Sequence, residues 1–173
     1  NIFKYVGNGW EVPSTGEDGW DVENHARDIF AEFKNKHNTM NSASAKSVHA
    51  RMRGLVEGNS RATCYLVEVI AKKSQDIPWK LANAPLRDSR QERLRRISID
   101  RFYEIVTGDD SAFADLCSVI GKVIDDVLDE NPNAVKDNSV LDELNAMGDD
   151  ILKTLFTLSF STYRGFDEFT IRK

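Results

Sequence analysis

The sequence predicts an α/β or α+β fold: a central mixed β-sheet flanked by helices, with a helical C-terminal part. Three observations predict it. Near the start, "DVEN" (21–24) and "IFAEFK" (29–34) alternate in polarity as paired strands do. "ATCYLVEVIA" (62–71) is β-branched and nearly continuous in apolar character, as a strand buried on both faces should be. From about residue 100 onward, apolar residues return every three or four positions, the period of an amphipathic helix.

Each element follows from local chemistry. From Asn1 to about Lys36, short apolar stretches are broken by Gly7, Gly9, Pro13, Gly16 and Gly19, so strands are expected there. "DVEN" and "IFAEFK" meet at a tight connection around His25 to Asp28, which lacks the Asn-Gly pair of the commonest two-residue turns. Centred between Ala26 and Arg27, this hairpin pairs residues whose numbers sum to 53, which sets Asp21 opposite Glu32. "ASAKSVHARMRGLVE", from Ser42 or Ala43 to about Glu57, carries Val48, Met52, Leu55 and Val56 at helical spacing and ends at Gly58; its outer face is basic. The buried strand of 62–71 follows. Residues 72–96 read as a polar connection containing Pro78, long enough to serve a function of its own. "DRFYEIVTG" is a short helix closed by Gly108. Phe113, Leu116, Ile120, Val123, Ile124 and Val127 mark a longer helix that stops at Asn131-Pro132, and Val140 to Leu158 repeats the pattern.

At 173 residues the chain suits one domain, 1–173, with a real core. Nothing approaches the length of an apolar membrane span, so no membrane partner is expected. Cys64 and Cys117 lie far apart in apolar runs without zinc-site spacing, which suits buried free thiols in a cytoplasmic protein. Residue 1 is Asn rather than Met and no signal peptide is visible, so a fragment lacking an N-terminal segment is expected.

The net charge of −5 hides an uneven distribution. Residues 1–99 hold sixteen Lys and Arg against twelve Asp and Glu; residues 100–173 hold seven against sixteen. No acid occurs between Glu32 and Glu57, where Lys34, Lys36, Lys46, Arg51 and Arg53 fall beside His37 and His49. A second basic cluster runs from Arg87 through Arg90, Arg93, Arg95 and Arg96 to Arg101. Such patches on an acidic protein fit contact with nucleic acid, although a run of charge is more often a solvated face.

Side chains alternate across a strand, so Glu32 and Lys34 share one face. Opposed residues of an antiparallel pair have Cβ atoms about 5 Å apart, and two carboxylates at that separation repel unless a cation lies between them. Mg²⁺ suits such a pair because it takes a few carboxylate oxygens and keeps other positions for water and phosphate. Lys34 could hold the attacking water and offset charge on a phosphate. Spacing alone favours an ordinary solvated hairpin; the acid-free basic stretch that follows narrows the difference.

"GWDVENHARDIFAEFKNKHNT" (19–39) resembles the active-site hairpin of type II restriction endonucleases of the PD-(D/E)xK nuclease superfamily: an Asp on one strand, then Glu-x-Lys on the next. The match is to Asp21 and Glu32-Phe33-Lys34, with Trp20 where the family writes Pro. "YLVEVIAKK" and "SIDRFYEIVTGDD" resemble later segments of the group that cuts GGNCC-type sites, so the likeness covers most of residues 7–128. The resemblance implies a restriction-endonuclease-like core, with Asp21, Glu32 and the Phe33 main-chain carbonyl as ligands of Mg²⁺ (Mn²⁺ a substitute) and Lys34 acting on the water. Glu17 or Asp18 would add a metal contact, a solvated turn being an equal reading. Asn35, Lys36, His37 and Lys46 would touch the DNA backbone, and Trp79 with Arg87, Arg90 and Arg93 would lie in a sequence-reading loop. A palindromic, G/C-containing site in double-stranded DNA implies a homodimer. Two rivals stay open at this point: a repair or junction nuclease of the same superfamily, and a non-catalytic DNA-binding or interaction module.

Overall fold

A computed structural model of the chain describes residues 2–13, 19–81, 89–130 and 149–170. Five strands form one mixed sheet: β1 (Val22–Asn24), β2 (Ile29–Lys36), β3 (Thr63–Ile70), β4 (Asp76–Pro78) and β5 (Leu94–Ser98). Their spatial order is β1-β2-β3-β5-β4, with β2, β3 and β5 parallel and the two edge strands antiparallel. Among the described residues four helices flank them: α1 (Ser42–Gly58), α2 (Ile99–Thr107), α3 (Ala112–Glu130) and α4 (Asp149–Phe160). The mixed α/β sheet that the sequence predicts is present.

The hairpin register is the expected one. Val22 pairs with Ala31, Glu23 with Phe30 and Asn24 with Ile29. A single 3₁₀ turn, His25–Arg27, makes the connection: Asn24 accepts the Arg27 N–H at 3.0 Å, and Asp28 adopts a left-handed conformation (φ 53°) that short polar side chains tolerate. α1 begins where Asn41 accepts the Ser44 N–H at 2.8 Å, then crosses from β2 to the parallel strand β3.

The two faces of the sheet have separate cores. Phe30, Cys64, Leu66 and Leu94 pack under Met52 and Val56 of α1. Ile29, Ala31, Val67 and Ile97 pack against Phe102, Phe113 and the aromatic end of the chain, Phe160, Tyr163 and Phe166. The Tyr163 hydroxyl accepts the Ala71 N–H at 2.6 Å and donates to the Val69 carbonyl at 2.9 Å, so it completes the ladder where β3 ends.

Three expectations need correction. Residues 72–96 are not one polar connection: β4 and β5 lie within or overlap them, and the charges that disguised β5 are neutralised by Asp76 beside Arg95 and Glu68 beside Arg96. The first residues are not strands. Ile2–Tyr5 is a 3₁₀ turn, Gly7 and Gly9 turn the chain at φ 79° and 77°, and Phe3 and Trp10 drop into the core from irregular backbone. Glu11 makes an isolated bridge to Glu23. Trp79, expected in a sequence-reading loop, directly follows β4 and is buried, with its ring 5.0 Å from that of His49. The α4 pattern holds from Asp149; its expected start at Val140 lies outside the described residues. No described helix is long and apolar enough to cross a membrane.

Candidate active site

Alternation puts Phe30, Glu32 and Lys34 of β2 on the α1 side of the sheet, with Ile29, Ala31 and Phe33 on the other. Phe30 fills the core below; Glu32 and Lys34 lie toward the strand's carboxyl end, where α1 covers less. The Glu32 side chain is 14% exposed, and both of its oxygens are held by cations. Lys34 Nζ lies 2.6 Å from Oε1, and Arg51 Nη2, from α1, makes a close contact with Oε2.

Asp21 stands one residue before β1 and donates its N–H to Ala31 O at 3.0 Å. Its carboxylate accepts the Phe33 N–H at 2.7 Å, which keeps Oδ2 against the peptide between Glu32 and Phe33. The β1–β2 register and this hydrogen bond bring Asp21, Glu32 and Lys34 to one end of the hairpin.

Arg51 was legible in the sequence only as part of a basic stretch. Its guanidinium lies 4.3 Å over the Trp20 ring and Nη1 donates to Gly19 O at 3.3 Å, so a single residue ties α1 to Glu32 and to the chain entering β1. Its Nε is buried without a hydrogen bond among the described residues.

Glu68 of β3 was equally hidden. It is the register partner of Lys34, is 1% exposed, and is met by Arg96 through Nε at 2.9 Å and through a close Nη2 contact, both on Oε1. Its Oε2 is buried with no hydrogen bond among the described residues. An acid interrupting an otherwise apolar strand was the available signal.

The other expected residues are scattered. Asn35, Lys36 and Lys46 are exposed, and His37 is half-buried with its ring Nδ1 3.3 Å from Ile70 O. Arg90 is exposed and lies 3.8 Å from Glu57. Arg93 is half-buried and donates to the carbonyls of Val56, Asn59 and Ala62 at 3.0–3.3 Å, so it closes the carboxyl end of α1. Glu17, Asp18 and Arg87 lie outside the described residues. His49 is buried, where desolvation lowers its pKa despite a contact with Trp79 O. Burial likewise pushes the Cys64 and Cys117 thiols up to about 12, as suits structural cysteines.

A separate trio, Glu11, Glu23 and His25, brings one ligand atom each within 4.8 Å of the others at the outer edge of β1. Glu23 points to the side where His25 Nε2 meets it at 3.1 Å.

The chain is 34% identical over 128 residues to the type II restriction enzyme Sau96I of Staphylococcus aureus, a match covering 70% of this chain and 49% of that enzyme. The chain thus spans about half the length of that relative. No solved structure matches it significantly. Residues 1–129, which include the hairpin, α1, the whole sheet, α2 and nearly all of α3, match the model of the Eco47II restriction endonucleases. The chain belongs to the Eco47II restriction endonuclease family.

Proposed function

We propose that this chain carries the catalytic hairpin of a Mg²⁺-dependent type II restriction endonuclease, which hydrolyses phosphodiester bonds of double-stranded DNA at a short palindromic, G/C-containing site as a homodimer. One observation supports this above the rest. Glu32, mostly shielded from water, is saturated with positive charge by Lys34 and Arg51, while the Asp21 carboxylate is fastened to the adjoining peptide. A carboxylate held that way is built to work beside a cation, and its oxygens are the hard donors that Mg²⁺ prefers.

Asp21 and Glu32 would hold the ion, with the Phe33 carbonyl beside them; Mn²⁺ would substitute. A divalent ion there supplies Lewis-acid polarisation of the phosphoryl oxygen and lowers the pKa of a coordinated water. An ion held by Glu32 would compete with Arg51 for Oε2. Lys34, on the same strand face, would orient the attacking water and offset charge developing on the phosphate. Asn35, Lys36, His37 and Lys46 would carry the flanking backbone.

The test is digestion of unmethylated phage DNA with and without Mg²⁺. Discrete, metal-dependent fragments are expected. Smearing or structure-selective nicking would place the chain among repair or junction nucleases, and bound but intact DNA would leave a non-catalytic DNA-binding module.

A further inference from the structure

A cavity of about 410 Å³ opens at the carboxyl ends of β2 and β3, walled by His37 and Asn38 after β2, Lys72 and Gln75 after β3, and Glu68 and Arg96 at its base. The carboxyl ends of parallel strands are where open α/β sheets bind ligands. Arg96 is fixed there with little freedom. Its Nε and Nη2 both reach Glu68 Oε1, and Nη2 also donates to His37 O at 3.1 Å. Glu68 is buried and Arg96 is its one ion-pair partner among the described residues, so moving the guanidinium would strand a buried charge. Arg96 Nη1 makes no hydrogen bond among the described residues, and its side chain is 31% exposed. Lys72 is exposed and forms no ion pair among the described residues. With Glu68 balanced by Arg96, Lys72 leaves the wall with an excess positive charge, and Asn38 and Gln75 add amide donors.

Register gives the cavity its place relative to the hairpin. Glu32 pairs with Leu66 and Leu66 with Arg96, so Glu32 and Arg96 share one cross-sheet row on the α1 face. Two strand spacings separate them, about 10 Å. A strand of DNA whose scissile phosphate lay at Glu32 would bring a neighbouring phosphate over the cavity.

We propose that this cavity is a DNA backbone-phosphate subsite, in which Arg96, held in place by Glu68, and Lys72 bind a phosphate flanking the scissile one. The inference rests on the nuclease reading above. Phosphate rather than a base edge is favoured because two charged donors, Arg96 and Lys72, line the wall against one carboxylate, Glu68, which is buried and has its Oε1 taken by Arg96.

The test measures the salt dependence of binding to a GGNCC-containing duplex and to a scrambled duplex, in Ca²⁺, for wild type, Lys72→Gln and the charge-balanced pair Glu68→Gln/Arg96→Gln. Loss of one phosphate contact should make the slope of log K against log salt shallower by about 0.9 and weaken both duplexes by the same factor. Lys72→Gln alters an exposed side chain and decides the matter even if the double variant does not fold. Unchanged slopes in Lys72→Gln, or an unchanged slope with lost discrimination between the duplexes, would overturn the subsite. Wild type that binds neither duplex would overturn the nuclease reading itself.

Discussion

Arg51→Met is the perturbation that most sharply probes how the hairpin is kept before metal arrives. It removes the guanidinium from Glu32 Oε2, Gly19 O and the Trp20 ring while keeping an aliphatic stem against α1. A hydrogen bond between charged groups contributes about 1.5–3 kcal/mol, and an exposed cation–π contact about 0.5–1 kcal/mol. Arg51 is 32% exposed, which screens the pair, and its Nε is already buried without a partner, so the net loss of stability should be about 1–2 kcal/mol. Metal affinity should move the other way. A divalent ion that no longer has to displace Arg51 gains back about 1–2 kcal/mol, or about 5- to 30-fold in affinity at about 1.4 kcal/mol per tenfold. Calorimetric titration of MnCl₂ into DNA-free wild type and Arg51→Met reads the second effect, and urea midpoints read the first. Metal affinity that is unchanged or weaker in the variant would refute the idea that Arg51 and the ion compete for Glu32.

Two further outcomes follow from the surrounding structure. Tyr163→Phe removes a buried hydroxyl that serves both Val69 O and Ala71 N, so it should cost about 1–3 kcal/mol by urea denaturation; no change would mean that the aromatic C-terminal segment is not part of the folded unit. His49 binds its proton less readily when folded than at its ordinary pKa of 6.5, so the unfolded chain takes up more protons below that pH. Stability should therefore fall as pH drops from about 6.5 through the lower folded-state value. His49→Gln should flatten that part of the profile, and an equally steep profile in the variant would contradict the assignment.

The hairpin was legible because its information is local. Strand alternation, a four-residue connection and Asp28, which tolerates a left-handed backbone, together fix the pairing. α1 and β3 were legible for the same reason, each carrying its own period and stop signal. β5 was not: "LRRIS" places two arginines mid-strand, and only the distant acids Asp76 and Glu68 make that tolerable. The start of the chain failed in the opposite direction, since Phe3 and Trp10 look like strand residues but reach the core from turns shaped by Gly7 and Gly9. In the site, Asp21, Glu32 and Lys34 lie within one short motif and could be found. Arg51 and Glu68 come from α1 and β3, and their partnership with Glu32 and Arg96 exists only once the crossover has folded. Arg93 shows the converse: a basic residue in a basic run whose donors are spent on carbonyls at the end of α1.

The most direct test of the central claim compares Lys34→Ala with wild type on one duplex carrying the cleaved site, measuring single-turnover cleavage in Mg²⁺ and equilibrium binding in Ca²⁺. If Lys34 orients the water and offsets phosphate charge, cleavage should fall by about 100-fold or more while DNA affinity stays within about threefold. Cleavage that persists at the wild-type rate would contradict the assignment of the hairpin as the catalytic site.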